Sequence, residues 1–157
     1  KENLFAGRCD VYTTDASGLS STRAAAADPG KWVVLPEIIS KEPLGPLVRH
    51  GDHQWGDVVR WSLNAMIIAE ELGVSSENVD AQKSSNVPEV LRLLGVEGSY
   101  GEMLELAPDW AYQIIKQIGN YSESYEANVG PDTPLEIARG LNALWTQGGI
   151  LYAPPFR

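Results

Sequence analysis

From Gln54 to Leu72 the apolar residues Trp55, Val58, Val59, Leu63, Met66, Ile67 and Leu72 recur at three- and four-residue intervals. This spacing predicts a long amphipathic helix, and Gly73 is placed to end it. A second helix is expected from Asn86 through Val90, Leu91, Leu93 and Leu94 to Gly95, with Pro88 in its first turn. Asp109 opens a third, which turns Trp110, Ile114, Ile115 and Ile118 inward, and a fourth is read over Tyr121 to Asn128. Thr133-Pro134-Leu135-Glu136 matches a capping box with proline at the first helical position, so a helix to Trp145 is expected. Four successive alanines favour a further helix over Ser17 to Ala27, stopped by Asp28-Pro29-Gly30. Asn3 to Ala6 reads as a helix end capped by Gly7, and the tail from Gly148 to Arg157 as extended chain over the body.

The other period is sparse. Cys9 to Thr14 (CDVYTT) reads as a strand, as do Trp32 to Leu35 and Leu44 to Arg49. Pro36 to Pro46 carries three prolines and reads as an extended connection. Strands are therefore confined to the first third, and the rest is almost wholly helical. A sheet this small is not stable by itself, so the imbalance predicts that another polypeptide completes it.

Length permits one domain with a core. The apolar fraction is 43% and charged residues make up 21%, both ordinary for a globular chain. The net charge is −9 and the basic residues are scattered singly, which disfavours nucleic acid or an anionic membrane surface as partner. No apolar run is long enough to span a bilayer. Cys9 stands alone, which admits two readings: a small buried hydrophobe, or a thiol whose partner lies elsewhere. His50 and His53 flank a Gly-Asp turn without a metal-ligand set around them, and no cofactor is implied.

Asp15 is the sharpest chemical feature. It follows a predicted strand and precedes a predicted helix, and in open α/β sheets ligands sit at that end of the strands. An acid at this place either caps the helix or meets a cationic ligand group, and one carboxylate can do both.

The segments GRCDVYTTDASGL (7–19), VVLPEIISKEPLGPLVR (33–49), RLLGVEG (92–98), DWAYQIIKQIGNY (109–121), NVGP (128–131) and RGLNALWTQGGILYAPPFR (139–157) occur in order along the chain. They resemble the general L-amino-acid binding proteins of ABC transporters, in the polar amino-acid uptake group. That resemblance implies an α/β fold of the periplasmic-binding-protein type II kind, of which this chain is the C-terminal half. Residues 1–39 would finish the second lobe, 40–43 with Lys41 and Glu42 would form the second hinge crossing, and 44–157 would return to the first lobe with a helical extension. The same resemblance implies a periplasmic, non-enzymatic component that binds glutamate, glutamine, aspartate, asparagine or a similar L-amino acid. It would work with a membrane permease, and the N-terminal half would be a separate chain.

An amino acid is a zwitterion, so its ammonium needs a carboxylate and its carboxylate needs an Arg fork or a helix N-terminus. The resemblance gives the ammonium to Asp15 and the ligand side chain to Thr14, with Thr13 as its neighbour on the strand; either threonine is equally read as chosen for strand propensity. The Arg that would bind the ligand carboxylate has no match here, since Arg49 and Arg60 read as surface charges. The resemblance also pairs Cys9 with a cysteine this chain lacks, which implies an interchain disulfide or a free thiol. Lys41 and Glu42 read equally as a solvated loop pair. The tryptophans at 32, 55, 61, 110 and 145 are expected to pack in the core. Two other classes stand beside this reading: a dehydratase-like enzyme of the same fold, and an interaction module that no longer binds ligand.

Overall fold

The computed structural model describes residues 1–157. The long helix begins where the Asp52 carboxylate accepts the Trp55 backbone N–H at 3.1 Å, and it runs His53–Glu71. In chain order the helices are α1 (Glu2–Phe5), α2 (Ala16–Ala24), α3 (His53–Glu71), α4 (Val79–Gln82), α5 (Pro88–Leu93), α6 (Tyr100–Met103), α7 (Trp110–Ile118) and α8 (Tyr121–Asn128). Three 3₁₀ turns lie at Pro29–Lys31, Gly140–Asn142 and Trp145–Gln147. The chain divides into two units: Lys1–Gly45 with Glu126–Ala138 (unit 1), and Pro46–Tyr125 with Arg139–Arg157 (unit 2).

Unit 2 contains every buried apolar residue of the chain. Its α3 packs on α5 and α7, and α4 packs on α7. The face that α3 buries is Ala65, Ile67, Ile68 and Ala69. Leu63 and Trp55, expected on that face, are exposed. The buried stripe thus lies in the helix's C-terminal half. Of the five tryptophans, Trp110 is buried, Trp32 and Trp61 are half-buried, and Trp55 and Trp145 are exposed.

Polar pairs fix the short helices. Asp80 of α4 accepts the Lys116 ammonium at 2.6 Å and the Tyr112 hydroxyl at 2.8 Å, tying α4 to α7. The Lys116 hydrogen bond leads in holding the Asp80 carboxyl below its usual range. At the start of α8, Glu123 N–H donates to Asn120 Oδ1 at 3.0 Å, and Asn120 N–H donates to Glu123 Oε2 at 2.7 Å. This reciprocal capping box satisfies two otherwise orphaned donors. Burial pushes the Glu123 carboxyl up, but hydrogen bonds from Ser76 and Asn120 together outweigh it and hold it low.

Gly95 follows α5 in a left-handed conformation, φ 70°, and a Cβ there would stand 2.0 Å from the Pro108 carbonyl oxygen. Both the backbone and the contact exclude a side chain. Gly95→Ala is expected to cost about 2 kcal/mol or more, read as a lower denaturation midpoint with an unchanged m-value. A loss under about 0.5 kcal/mol would show that the turn yields easily.

Two expectations are corrected. The helix predicted from Thr133 to Trp145 does not form. Thr133 Oγ1 accepts the Leu135 N–H at 3.2 Å, a local turn in place of a cap, and Glu136 takes a positive φ of 52° that breaks any helical path. Only the short 3₁₀ turns follow. The expected strands are also absent. Residues 9–14, 32–35 and 44–49 form no ladder, and the one β-bridge of the chain joins Leu144 to Leu151. A strand is stable only when its N–H and C=O groups meet a second strand, and this chain supplies none. The α/β layering is therefore not present within these residues.

Unit 1 shows the result. Val33 and Leu35 are exposed while Trp32 and Val34, alternating with them, are half-buried, the alternation of a strand with one face covered. Beyond them Ile38 and Ile39 are each 80% exposed and Leu47, in the adjoining residues of unit 2, is 99% exposed. Large apolar side chains this open are unusual in number for a folded chain.

Candidate functional site

Asp15 is the N-cap of α2. Its Oδ2 accepts the Gly18 backbone N–H at 2.8 Å and the Ser17 hydroxyl at 2.5 Å, and its Oδ1 accepts the Thr14 hydroxyl at 3.2 Å. The Ser17 hydrogen bond is the largest cause that holds the Asp15 carboxyl below its usual value, followed by the Gly18 N–H. Donors stabilise the charged form, so Asp15 is a fixed, ionised carboxylate. Gly18 permits the close approach, because a Cβ there would lie 2.9 Å from Asp15 Oδ1.

The helix-capping reading of Asp15 is therefore realised. The side chain is only half-buried, so its charge stays accessible beside the cap. Thr14 is exposed and joined to Asp15. Thr13 and Cys9 are exposed, and neither is hydrogen-bonded to Asp15; Cys9 is a free thiol. Lys41 and Glu42 are exposed, and Glu42 accepts the Ser40 hydroxyl at 3.3 Å. Ser17 is the residue the sequence reading missed. An acid followed two residues later by a serine at a helix start was the available signal.

Unit 1 also holds a cavity of about 410 Å³, lined by Arg23, Ala24, Pro29, Gly30, Trp32, Pro134 and Glu136. Arg23 is in the last turn of α2, so this cavity adjoins the opposite end of the helix from Asp15, and Asp15 does not line it. No group of His, Cys, Asp and Glu side chains is arranged to hold a metal ion. No helix is long and apolar enough to cross a membrane.

Throughout its length the chain is similar to part of the amino-acid-binding proteins of ABC transporters. The chain is 54% identical over 100% of its length to the glutamate/glutamine/aspartate/asparagine-binding protein BztA of Rhodobacter capsulatus, covering 47% of that protein. It is 56% identical over 97% of its length to the general L-amino acid-binding periplasmic protein AapJ of Rhizobium johnstonii, covering 45% of it. The solved structure of an ABC transporter/periplasmic binding protein from Brucella ovis, with glutathione bound, matches 99% of the chain at 51% identity and a TM-score of 0.93, over 49% of that structure. No protein-family model matches the chain. The chain thus spans about half the length of the curated relatives it matches.

Proposed function

We propose that this chain is the C-terminal half of a periplasmic amino-acid receptor for an ABC uptake transporter, a binding component and not an enzyme. The observation that carries this is the 54% identity, over the full chain, to half of a glutamate/glutamine/aspartate/asparagine-binding protein. The ligand is a polar L-amino acid. Asp15 receives its ammonium, Thr14 faces its side chain, and Thr13 lies alongside. The carboxylate-binding group comes from the polypeptide that corresponds to the uncovered half of the relatives.

Three features support that division of labour. The extended residues of unit 1 lack strand partners, their apolar side chains are bare, and Cys9 is an exposed thiol. Residues 1–39 then complete one lobe, Lys41 and Glu42 lie in the crossing, and the remainder returns to the other lobe. The sheet of an α/β lobe forms when the companion half adds its strands, and Cys9 is bridged to that half. A membrane permease takes up the released ligand. Glutathione is a second candidate ligand, because its γ-glutamyl end carries the same α-ammonium and α-carboxylate as a free amino acid and the Brucella ovis relative is a glutathione complex.

The test is calorimetric titration of L-glutamate, L-glutamine and glutathione into the chain alone and into the chain joined with its companion half. Micromolar binding by the pair and none by the chain alone is expected. Micromolar binding by the isolated chain refutes the need for a companion, and no binding by the pair refutes the receptor reading. In the pair, Asp15→Asn is expected to weaken binding at least about 100-fold, because one charge-assisted contact to a buried ammonium is lost. The pH dependence follows from the direction of the Asp15 shift. A carboxyl depressed when folded contributes stability that is present above its unfolded value of 3.8 and is lost as pH falls through its lower folded value. Ligand affinity that depends on Asp15 is accordingly flat from neutral pH to about 4 and drops below 3.8. A drop centred near pH 6 would assign the ammonium to another group.

A further inference from the structure

Within unit 1, the cavity of about 410 Å³ lies at the C-terminal end of α2, and every residue that lines it belongs to that unit. Its volume is that of a small-molecule site, which spans about 300 to about 1,000 Å³. Three parts of its wall carry chemistry: a cation, an anion and an indole.

The cation is Arg23, in the last turn of α2, with a side chain 25% exposed. The anion is Glu136, 63% exposed. They meet through one nitrogen and one oxygen, Nη2 to Oε2 at 2.6 Å. A guanidinium can offer a carboxylate two parallel N–H bonds, so this pair falls short of the strongest geometry open to Arg23. Glu136 holds a positive φ of 52° here, and backbone strain of that kind concentrates where ligands are held. The indole is Trp32. Its N–H donates to Pro29 O at 3.1 Å, which ties it to the turn Pro29–Lys31. Phe5, which does not line the cavity, packs edge-on against the indole with centroids 5.2 Å apart and braces it from behind. Pro29 and Pro134 add rigid apolar surface.

Charge decides what fits. Arg23 and Glu136 cancel, so the site is neutral as it stands. The chain carries a net charge of −9, and the cavity adjoins the negative end of the α2 dipole, so a simple anion is disfavoured. An anion would also take Arg23 from Glu136 and leave that carboxylate alone; a simple cation would strand Arg23. A zwitterion replaces both partners at once.

We propose that this cavity binds a zwitterionic amino acid with an aromatic side chain, its carboxylate on Arg23, its ammonium on Glu136 and its ring against Trp32. The site is separate from Asp15, and the proposal does not rest on the ligand reading made for that residue.

The experiment is an NMR titration of the whole chain with L-phenylalanine, read at the Trp32 indole N–H and at the Ser17 and Gly18 amides beside Asp15. Saturable shifts at Trp32 with a dissociation constant of about 1 mM are expected, the scale for a ligand of this size, with Ser17 and Gly18 unmoved. Phenylpropionate, which lacks the ammonium, and phenethylamine, which lacks the carboxylate, are each expected to bind about fivefold more weakly, since each forfeits one exposed charge pair. Arg23→Ala is expected to weaken L-phenylalanine at least about tenfold, the loss of a hydrogen bond between charged groups. Glu136→Gln is expected to weaken it about fivefold while phenylpropionate binds as well as before or better, a split that damage to the fold would not produce. The absence of a saturable shift at Trp32 overturns the proposal. So does phenylpropionate binding as tightly as L-phenylalanine, or shifts confined to Ser17 and Gly18, which would put the ligand at Asp15.

Discussion

Phe156→Ala is expected to lower the unfolding midpoint of unit 2 by about 15 °C. Phe156 is 8% exposed and stands at the centre of an aromatic cluster. It stacks on Trp61 with centroids 5.3 Å apart, tilts against Tyr100 at 5.5 Å and meets Trp110 edge-on at 6.1 Å. Its carbonyl accepts Arg92 Nε at 3.1 Å, which ties the terminal segment to α5. Removing the ring forfeits its transfer energy and leaves a cavity, a loss of about 3 kcal/mol. For a unit of this size each kcal/mol moves the midpoint by about 5 °C. A cleft of about 150 Å³ already borders the ring, lined by Trp61, Tyr100, Met103, Leu104, Pro155 and Arg157. The vacated space is apolar, so benzene or indole should enter it and raise the midpoint of the variant. A change under about 1 kcal/mol, or no response to benzene, would show that the cluster collapses into the gap.

Arg139→Ala is the second large effect. Its loss leaves the Glu70 carboxylate buried without its cation, deprives Asn142 O of donors at 3.0 and 2.8 Å, and removes the plate against Tyr121 and Tyr125. Breaking one side of a buried pair costs roughly 3 kcal/mol. Arg139→Lys should recover less than half, because an ammonium keeps the charge but neither the fork nor the stacking. Glu70→Leu/Arg139→Met should be clearly more stable than Arg139→Ala, since no charge is then stranded. If the double variant is as unstable as the single, the site matters for packing and not for charge. Chemical denaturation of the three variants decides this.

How much of this was legible depends on what held each element. α3 and α7 follow from periodicity and end signals, and the bounds of these two and of α8 agree with the reading to within a residue or so. Of these, α3 and α7 pack on one another inside this chain, so their apolar faces and their structure are set together. The short helices α4 and α6 carry too few residues for a period to register. The failure at Thr133–Trp145 has a different cause. A capping-box pattern was present, but Arg139 is drawn to Glu70 and Glu136 to Arg23, two partners distant in sequence. The strands were legible as extended, apolar stretches, yet a ladder is a property of two chains of residues and cannot be read from one. At the site, the sequence located Asp15 and left open whether it caps the helix; the structure adds Ser17 as the group that orients it.

The three prolines at 36, 43 and 46 bear on whether such a bare stretch can pair with copies of itself. Each withholds one N–H, so a second molecule cannot zip continuously along the backbone between Val33 and Leu47. The interval free of proline, Glu37 to Glu42, carries Glu37, Lys41 and Glu42 around its two isoleucines. Charges so placed are of the kind that gatekeepers use to disfavour amyloid-like self-association of a segment that exposes Ile38 and Ile39.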